Sequence, residues 1–208
     1  MHNIEEIADR IRRSLDARTA ARDGALAQTR RLVRHCANAI RAVHRNEQPL
    51  AQENLDQARE LVKSLQASLT GYPDLYFAGY TQDALKEYAE ANIVYALLLN
   101  DHLPEPEDLG LEYATYLQGL AEAVGELRRR CLDLLRQGHS SDAERLLNYM
   151  DDIYAILITM DYPDAITGGL RRLTDMVRGV TERTRGDLTI SLRQEQLERS
   201  LRRVEEQL

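Results

Sequence analysis

Two glutamates, Glu87 and Glu90, lie three residues apart in the segment LKEYAEANIVYALLL, residues 85–99. At 100° per residue this segment presents apolar side chains on nearly every face, so a helix there is predicted to be buried on most sides. A buried carboxylate is costly unless it is neutralised, paired with a cation or bound to a metal ion. Taken alone, the segment favours an ion pair to an arginine of a neighbouring helix, with a metal site as the alternative.

A second pair of carboxylates, Glu122 and Glu126, lies four residues apart in the next amphipathic segment. The pair falls opposite the aliphatic stripe, where a solvated polar face is the simplest interpretation. However, two helices that each carry two carboxylates one turn apart are an arrangement by which a helical scaffold holds a hard divalent cation. No Glu-x-x-His motif occurs, which disfavours di-iron, and all-oxygen ligands favour Mg²⁺ or Mn²⁺. Such ions support phosphodiester cleavage.

Basic residues are concentrated near the start of the chain. The 208 residues carry a net charge of −7, but residues 10–45 contain ten arginines against only Asp16 and Asp23. This local excess of positive charge is typical of a phosphate-binding surface, and a solvated helix is the alternative. The segment from Arg171 to Arg185 is interspersed with acids, which favours salt bridges there.

The elements that would position these residues are all helical. Glycine and proline are sparse, at 11 and 5 residues, and apolar positions recur at spacings of three, four and seven. The pattern predicts a long first helix over the first 45 residues, which Gly24 could bend, and then four helices near residues 50–70, 85–99, 113–137 and 141–160. We therefore predict one domain over 1–208, an up-and-down bundle of six or seven helices.

Local signals refine this prediction. The loop 71–80 is predicted to be the least helical part of the chain, and Ser141 with Glu144 forms a candidate capping box. Pro163 fits the first turn of a helix that continues through the following two glycines. At the C-terminus, apolar residues at four-three-four spacing predict a coiled-coil seam or a helix packed on a partner: Leu197, Leu201, Val204 and Leu208.

The composition excludes some classes of protein. The longest apolar run, residues 93–99, is too short to span a bilayer, which needs about 20 residues. The N-terminal segment is charged and lacks the apolar core of a signal peptide, so we expect a cytoplasmic protein without a membrane partner. Cys36 and Cys131 lack metal-site spacing and are predicted to be reduced and buried. His35 and His44 are predicted to lie at the surface or to form interhelical hydrogen bonds.

Three motifs carry a resemblance to a known family: DALKEYAEA at 83–91, YLQGLAEAVGELRRRC at 116–131 and IRAVHR at 40–45. The sequence resembles translin and its relative, translin-associated factor X, and the resemblance covers essentially the whole chain in helix order. It implies an all-helical fold of about seven helices, binding of single-stranded RNA and DNA, and assembly into closed octamers.

The resemblance also implies a catalytic branch. The X-type branch is a Mg²⁺-dependent RNA endonuclease, and its acidic residues fall on Glu87, Glu90 and Glu122, with Glu126 supplied by the GEL segment. Ordinary translin has no acidic pair in the third helix, so Glu87 and Glu90 place this chain nearer the X-type branch. The chain departs from that branch at Glu122, where the X-type proteins have aspartate.

The leading hypothesis is therefore a translin-type ribonuclease that cuts single-stranded RNA inside a homo-oligomeric shell. Glu87, Glu90, Glu122 and Glu126 are the predicted ligands of Mg²⁺, or of Mn²⁺, and the first three are the predicted catalytic residues, with Glu122 accepting the proton of water. The predicted nucleic-acid contacts are Arg30, Arg34, Arg41, His44, Arg45 and Lys86. A non-catalytic oligomer that binds single strands is the alternative, and a scaffold whose helices mainly serve assembly is a third possibility.

Overall fold

A computed structural model describes residues 3–99 and 102–206, and within these residues every regular element is a helix. In chain order the helices are α1 (Ile4–His44), α2 (Gln48–Leu69), α3 (Pro73–Tyr76), α4 (Gly79–Leu99), α5 (Pro106–Leu109), α6 (Tyr113–Arg136), α7 (Ser140–Leu157), α8 (Asp164–Thr167) and α9 (Leu170–Glu205). Six of the described helices are long, and three are single turns in the connections. The predicted all-helical bundle is confirmed.

Helix α4 lies at the centre of the bundle. It packs against α1 and α6; α2 covers α1, and α7 and α9 cover α6. Leu85, Tyr88, Ile93 and Val94 on α4 are almost fully buried, as its apolar character on all faces predicts. Any polar side chain of α4 at these interfaces must therefore find a partner or remain costly.

The two longest helices extend beyond the core. Burial in α1 begins at Ala25, and the last buried residue of α9 is Leu188. The outer halves of both helices carry exposed apolar side chains at helical spacing: Ile4, Ile7, Ile11 and Leu15 on α1, and Leu197, Leu201 and Val204 on α9. Leu208, the last residue of the predicted seam, lies outside the described residues.

Several local predictions need correction. The loop predicted at 71–80 contains α3 and the start of α4 at Gly79, whereas a bend of α1 at Gly24 stays a prediction. The capping box at Ser141 is wrong, because α7 begins one residue earlier and has no side-chain cap. The Ser140 hydroxyl instead donates to Glu195 of α9, so a tertiary contact fixes this end of the helix.

The predicted helix from Pro163 through the two glycines is also wrong. Gly168 and Gly169 have φ values of 61° and 85°, which lie in the left-handed region. Such values end a helix and favour glycine, which has no Cβ to clash with the backbone. The chain therefore forms the short helix α8 after Pro163, turns at the glycines, and begins α9 at Leu170.

Other predictions about side chains are confirmed. Cys36 and Cys131 are buried and form no disulfide. The arginine-rich start of α9 makes intramolecular salt bridges, which join Arg171 to Asp161 at 2.8 Å, Arg178 to Glu182 at 3.0 Å and Arg185 to Asp151 at 2.5 Å.

Within the described residues, no helix is long and apolar enough to cross a membrane.

Candidate metal centre

Three of the predicted acidic residues meet where α4 packs on α6. Glu87 and Glu90 project from α4 and Glu122 from α6, and one carboxylate oxygen of each lies within 4.8 Å of the others. All three residues are half-buried. Within the described part of the chain, this is the one group of three or more acidic, histidine or cysteine side chains close enough to share an ion. We call these three residues the carboxylate cluster.

The cluster depends on a close approach of the two helices at Gly119. A Cβ placed on Gly119 would lie 2.5 Å from the Ala89 Cβ and 2.9 Å from both the Glu90 nitrogen and the Lys86 carbonyl oxygen. Only glycine fits there without a shift of one helix. Glu122 lies one turn further along α6, so this contact brings its carboxylate to those of α4.

The electrostatics of the cluster disfavour three ionised carboxylates in the absence of a cation. Burial raises the pKa of Glu90 to about 8, with further contributions from the negative charges of Glu87 and Glu122. Burial and Glu122 also raise the pKa of Glu87, although Lys86 opposes this. A divalent cation would reverse both effects, because it stabilises the ionised carboxylates.

Lys86 provides the single cation that contacts the cluster among the described residues. Its Nζ donates to Glu122 Oε1 at 2.8 Å, with side-chain exposures of 17% for Lys86 and 26% for Glu122. Burial lowers the pKa of Lys86, but the hydrogen bond and charge of Glu122 outweigh it and the net shift is upward. Glu87 and Glu90 make no ion pair within the described structure.

Glu126, the fourth predicted ligand, lies outside the cluster. His44 Nε2 is 2.6 Å from Glu126 Oε2, and only 5% of the His44 side chain is exposed. An ionised carboxylate only accepts hydrogen bonds, so His44 is the donor. This bond lowers the pKa of Glu126 against the opposing effect of burial, and Arg129 adds to the lowering. The prediction that His44 forms an interhelical hydrogen bond is confirmed. The role of Glu126 as a metal ligand stays a prediction.

The residues predicted to contact nucleic acid fall into two groups: those that are exposed and those that already bond a carboxylate. Arg30, Arg34, Arg41 and Arg45 are exposed on α1 or at its end, whereas His44 and Lys86 already bond carboxylates. A groove of about 300 Å³ between α1 and α4 has Arg30 and Glu87 among its lining residues. A basic side chain and a carboxylate of the cluster therefore border the same groove.

The donor set fits a hard divalent cation. Ligand oxygens lie about 2.1 Å from Mg²⁺, so opposite oxygens are about 4.2 Å apart, and small side-chain rotations would close the cluster around an ion. Cys36 lies near the two glutamates of α4, but burial and their charges raise the pKa of its thiol, so it stays protonated. Glu87, Glu90 and Glu122 would thus offer oxygen ligands alone, with remaining positions open to water.

Sequence reasoning missed three parts of this site. Gly119 stood in the motif GLAE, but the sequence did not distinguish it from Gly125 on the same helix, which makes no close contact. The bond between His44 and Glu126 joins residues 82 positions apart in sequence, which no local pattern indicates. Lys86 was expected to contact nucleic acid, and its ion pair with Glu122 was not foreseen.

The geometry defines an all-helical bundle with a carboxylate cluster at a central helix contact, and comparison with known proteins identifies the family. No protein-family model matches the chain. The chain is 30% identical over 188 residues to uncharacterized protein MJ0175 of Methanocaldococcus jannaschii, a match that covers 89% of this chain and 83% of that protein.

Solved structures give the same fold. The AfC3PO crystal structure is 33% identical with a TM-score of 0.82, covering 88% of this chain and 96% of that one. A structure of AfC3PO with duplex RNA has the same identity and TM-score and is covered to 95%. The apo-NeC3PO structure, at 20% identity and a TM-score of 0.81, shows the shared fold alone. The chain belongs to the C3PO family of translin and translin-associated factor X proteins.

Proposed function

We propose that the protein is a Mg²⁺-dependent endoribonuclease that cuts single-stranded RNA within a translin-type homo-oligomer. The observation that carries this proposal is the convergence of Glu87, Glu90 and Glu122 at the contact of α4 with α6. Three half-buried carboxylates that contact only one cation destabilise the folded protein, and a bound divalent cation would offset their negative charge. Mn²⁺ would fit the same oxygen ligands.

The carboxylates would act by holding the ion and moving one proton. A bound Mg²⁺ would supply a polarised water and neutralise charge on the scissile phosphate. Glu87 and Glu90 fix the position of the ligand oxygens because their helix is buried on most sides. Glu122 would accept the proton of the attacking water. Glu126, the fourth predicted ligand, bonds His44 through Oε2 and lies outside the cluster.

RNA would lie along α1. Arg30, Arg34, Arg41 and Arg45 are exposed and would bind the phosphate backbone, so binding would be salt-dependent and only weakly sequence-selective. The groove that Arg30 and Glu87 both line would bring a strand on α1 to the carboxylate cluster. The AfC3PO complex holds duplex RNA, so single strands and duplexes need to be compared directly.

Assembly would bury the outer halves of α1 and α9. The exposed apolar side chains of these two helices have no partner within the described residues. The AfC3PO structure has the same overall fold. A second copy is the simplest source of a matching apolar face, and a closed octamer is the predicted assembly. Light scattering tests this part, because a stable monomer would contradict the shell.

The catalytic proposal is tested by incubating end-labelled RNA with wild type and Glu122→Gln, in Mg²⁺ or EDTA. We expect cleavage only by wild type and only with Mg²⁺, and faster cleavage of a single strand than of the matching duplex. Glu60→Gln, which changes an exposed acid paired with Lys63, is the matched control and should cut like wild type. Equal cleavage by Glu122→Gln would end the catalytic proposal.

A non-catalytic RNA-binding oligomer is the second candidate. It is favoured by the ion pairs of Glu122 with Lys86 and of Glu126 with His44, which satisfy two of the four acids without a metal. In that case wild type would retain labelled RNA on a filter at low salt, without cleavage in Mg²⁺ or Mn²⁺.

A further inference from the structure

The ion pair between Lys86 and Glu122 lies inside the carboxylate cluster. Lys86 Nζ reaches from α4 across to Glu122 Oε1 on α6, at 2.8 Å, and both side chains are largely covered. Lys86 comes directly before Glu87 in the chain, so its ammonium group approaches the cluster from the helix that carries two of the three carboxylates. It therefore borders the position that an ion shared by the three would occupy.

The ion pair competes with a metal for the same carboxylate, because Lys86 bonds Glu122 and Glu122 belongs to the cluster. A cation that binds Glu87, Glu90 and Glu122 together draws electron density from the Glu122 carboxylate and repels the ammonium group beside it. Lysine holds its charge on a flexible four-carbon stem, so Nζ can leave Glu122 while the backbone of the buried helix stays in place. Its side chain is 17% exposed, so Lys86 is not fully enclosed by the protein.

We propose that Lys86 is the internal counter-cation of the metal-free cluster, that a divalent cation displaces it from Glu122, and that the displaced ammonium group binds an RNA phosphate. The proposal rests on the proposed function and adds a role to one residue of that site. Metal and RNA then bind cooperatively, because the ion releases a phosphate-binding group and the phosphate keeps that group away from Glu122.

The first test measures Mn²⁺ binding by electron paramagnetic resonance, without RNA and without turnover. Lys86→Met should bind Mn²⁺ roughly tenfold more tightly than wild type, because the ion no longer displaces a hydrogen-bonded ammonium group. Lys63→Met is the matched control, since it removes the same charge from an exposed pair with Glu60 and should bind like wild type. Lys86→Arg keeps the charge and should also stay close to wild type.

The outcomes separate the two proposals. If wild type and all variants fail to bind Mn²⁺, the metal site of the proposed function is wrong. If wild type binds Mn²⁺ but folded Lys86→Met binds it equally or more weakly, only the counter-cation role is overturned. Circular dichroism establishes folding, and Lys86→Gln replaces Lys86→Met if the latter does not fold.

The second test measures RNA affinity against salt concentration, in EDTA and in Ca²⁺. In Ca²⁺ the plot of log affinity against log salt should be less steep for Lys86→Met than for wild type, by about 0.7. This is the value for one phosphate contact on a single strand. In EDTA the slope should equal that of wild type, because Lys86 is then paired with Glu122. An equal decrease in both conditions would overturn the displacement.

Discussion

Glu90 and Glu126 are half-buried carboxylates on neighbouring helices, and their pKa values are shifted in opposite directions. Burial and nearby negative charges raise the pKa of Glu90 to about 8, whereas the hydrogen bond from His44 lowers that of Glu126. The two acids differ in their partners: Glu126 has a donor on α1, and Glu90 has no ion pair within the described residues. Burial alone therefore does not determine the charge of an acid in this bundle.

Glu126 links two helices through an ion pair, whereas Glu90 has no ion pair within the described residues. Glu126 joins α6 to the end of α1, and Arg130 strengthens the same junction through the His44 carbonyl oxygen at 3.4 Å. Among the described residues, Glu90 makes no corresponding link between helices. An unpartnered carboxylate held against two others has an energetic cost, which a bound cation would remove.

The largest effect is expected from Gly119→Ala. The new methyl group would overlap Ala89 and the α4 backbone at Glu90, so the helices must separate at a cost of about 1–3 kcal/mol. The shift should also move Glu122 away from α4 and weaken Mn²⁺ binding, while the bond of His44 to Glu126 remains. Urea unfolding and Mn²⁺ titration measure the two effects.

Gly125→Ala is the matched control on the same helix. A Cβ at Gly125 meets nothing within 4 Å, so alanine should stabilise the protein by about 0.5–1 kcal/mol through its better helix propensity. Destabilisation by both substitutions to the same extent would show that close packing at Gly119 is not special.

His44→Leu should make Glu126 resemble Glu90. It leaves a half-buried carboxylate without its main donor, which costs about 1–3 kcal/mol near neutral pH. Because the folded pKa of Glu126 lies below its reference value of 4.5, the contribution of its bond to His44 is present above that pH. It is lost as the pH falls through the folded pKa, so the two proteins should converge in stability in acid.

His35→Leu controls for the loss of an imidazole. His35 bonds the uncharged Asn54 Oδ1 at 3.1 Å, so its replacement should lack the carboxylate-linked loss of stability. Urea unfolding between pH 3 and 7 distinguishes the variants. Parallel pH profiles for His35→Leu and His44→Leu would contradict the assignment of Glu126 as the paired acid.

Glu90→Gln should flatten the opposite pH dependence. In metal-free wild type, folded Glu90 keeps its proton up to a pH of about 8, whereas the unfolded chain releases it near 4.5. The folded state therefore binds more protons in this window, and stability should fall as the pH rises from 4.5 to 8. Urea unfolding in EDTA at pH 5 and 8.5 should show a smaller decrease in Glu90→Gln, and an identical decrease would contradict the raised pKa.

The smallest effect is expected from replacing single arginines. An arginine in an ion pair is again compared with one that has none. Arg30 has no ion pair within the described residues, whereas Arg171 bonds Asp161. Arg30→Ala should reduce the salt slope of RNA binding by about 0.7, and Arg171→Ala should leave it unchanged. Filter binding over a salt series measures both slopes, and equal slopes would remove the basic surface of α1 from the proposal.

The sequence predicted much of the fold because most elements are encoded locally. The apolar faces of residues 85–99 predict a buried central helix, and α4 is one. The errors fall at chain reversals, where a tertiary bond from Ser140 to Glu195 or two left-handed glycines decided the helix ends. Helical spacing contains no information about such contacts.

Three of the four predicted metal ligands lie together, and the fourth, Glu126, pairs with His44. The sequence could group these acids because Glu87 and Glu90 lie one turn apart on one helix, and Glu122 and Glu126 lie one turn apart on the next. The diversion of Glu126 to His44 could not be predicted, because it depends on where the end of α1 meets α6. Periodicity gives the face of a residue on its own helix but not its partner on another.

The central claim is that the carboxylate cluster binds a divalent cation. Titration of wild type and Glu90→Gln with Mn²⁺, followed by electron paramagnetic resonance at neutral pH, tests it most directly. We predict that wild type binds the ion and that Glu90→Gln, which keeps the size of the side chain but replaces a charged carboxylate with a neutral amide, binds it far more weakly. Equal binding by the two proteins, or none by either, would contradict the account.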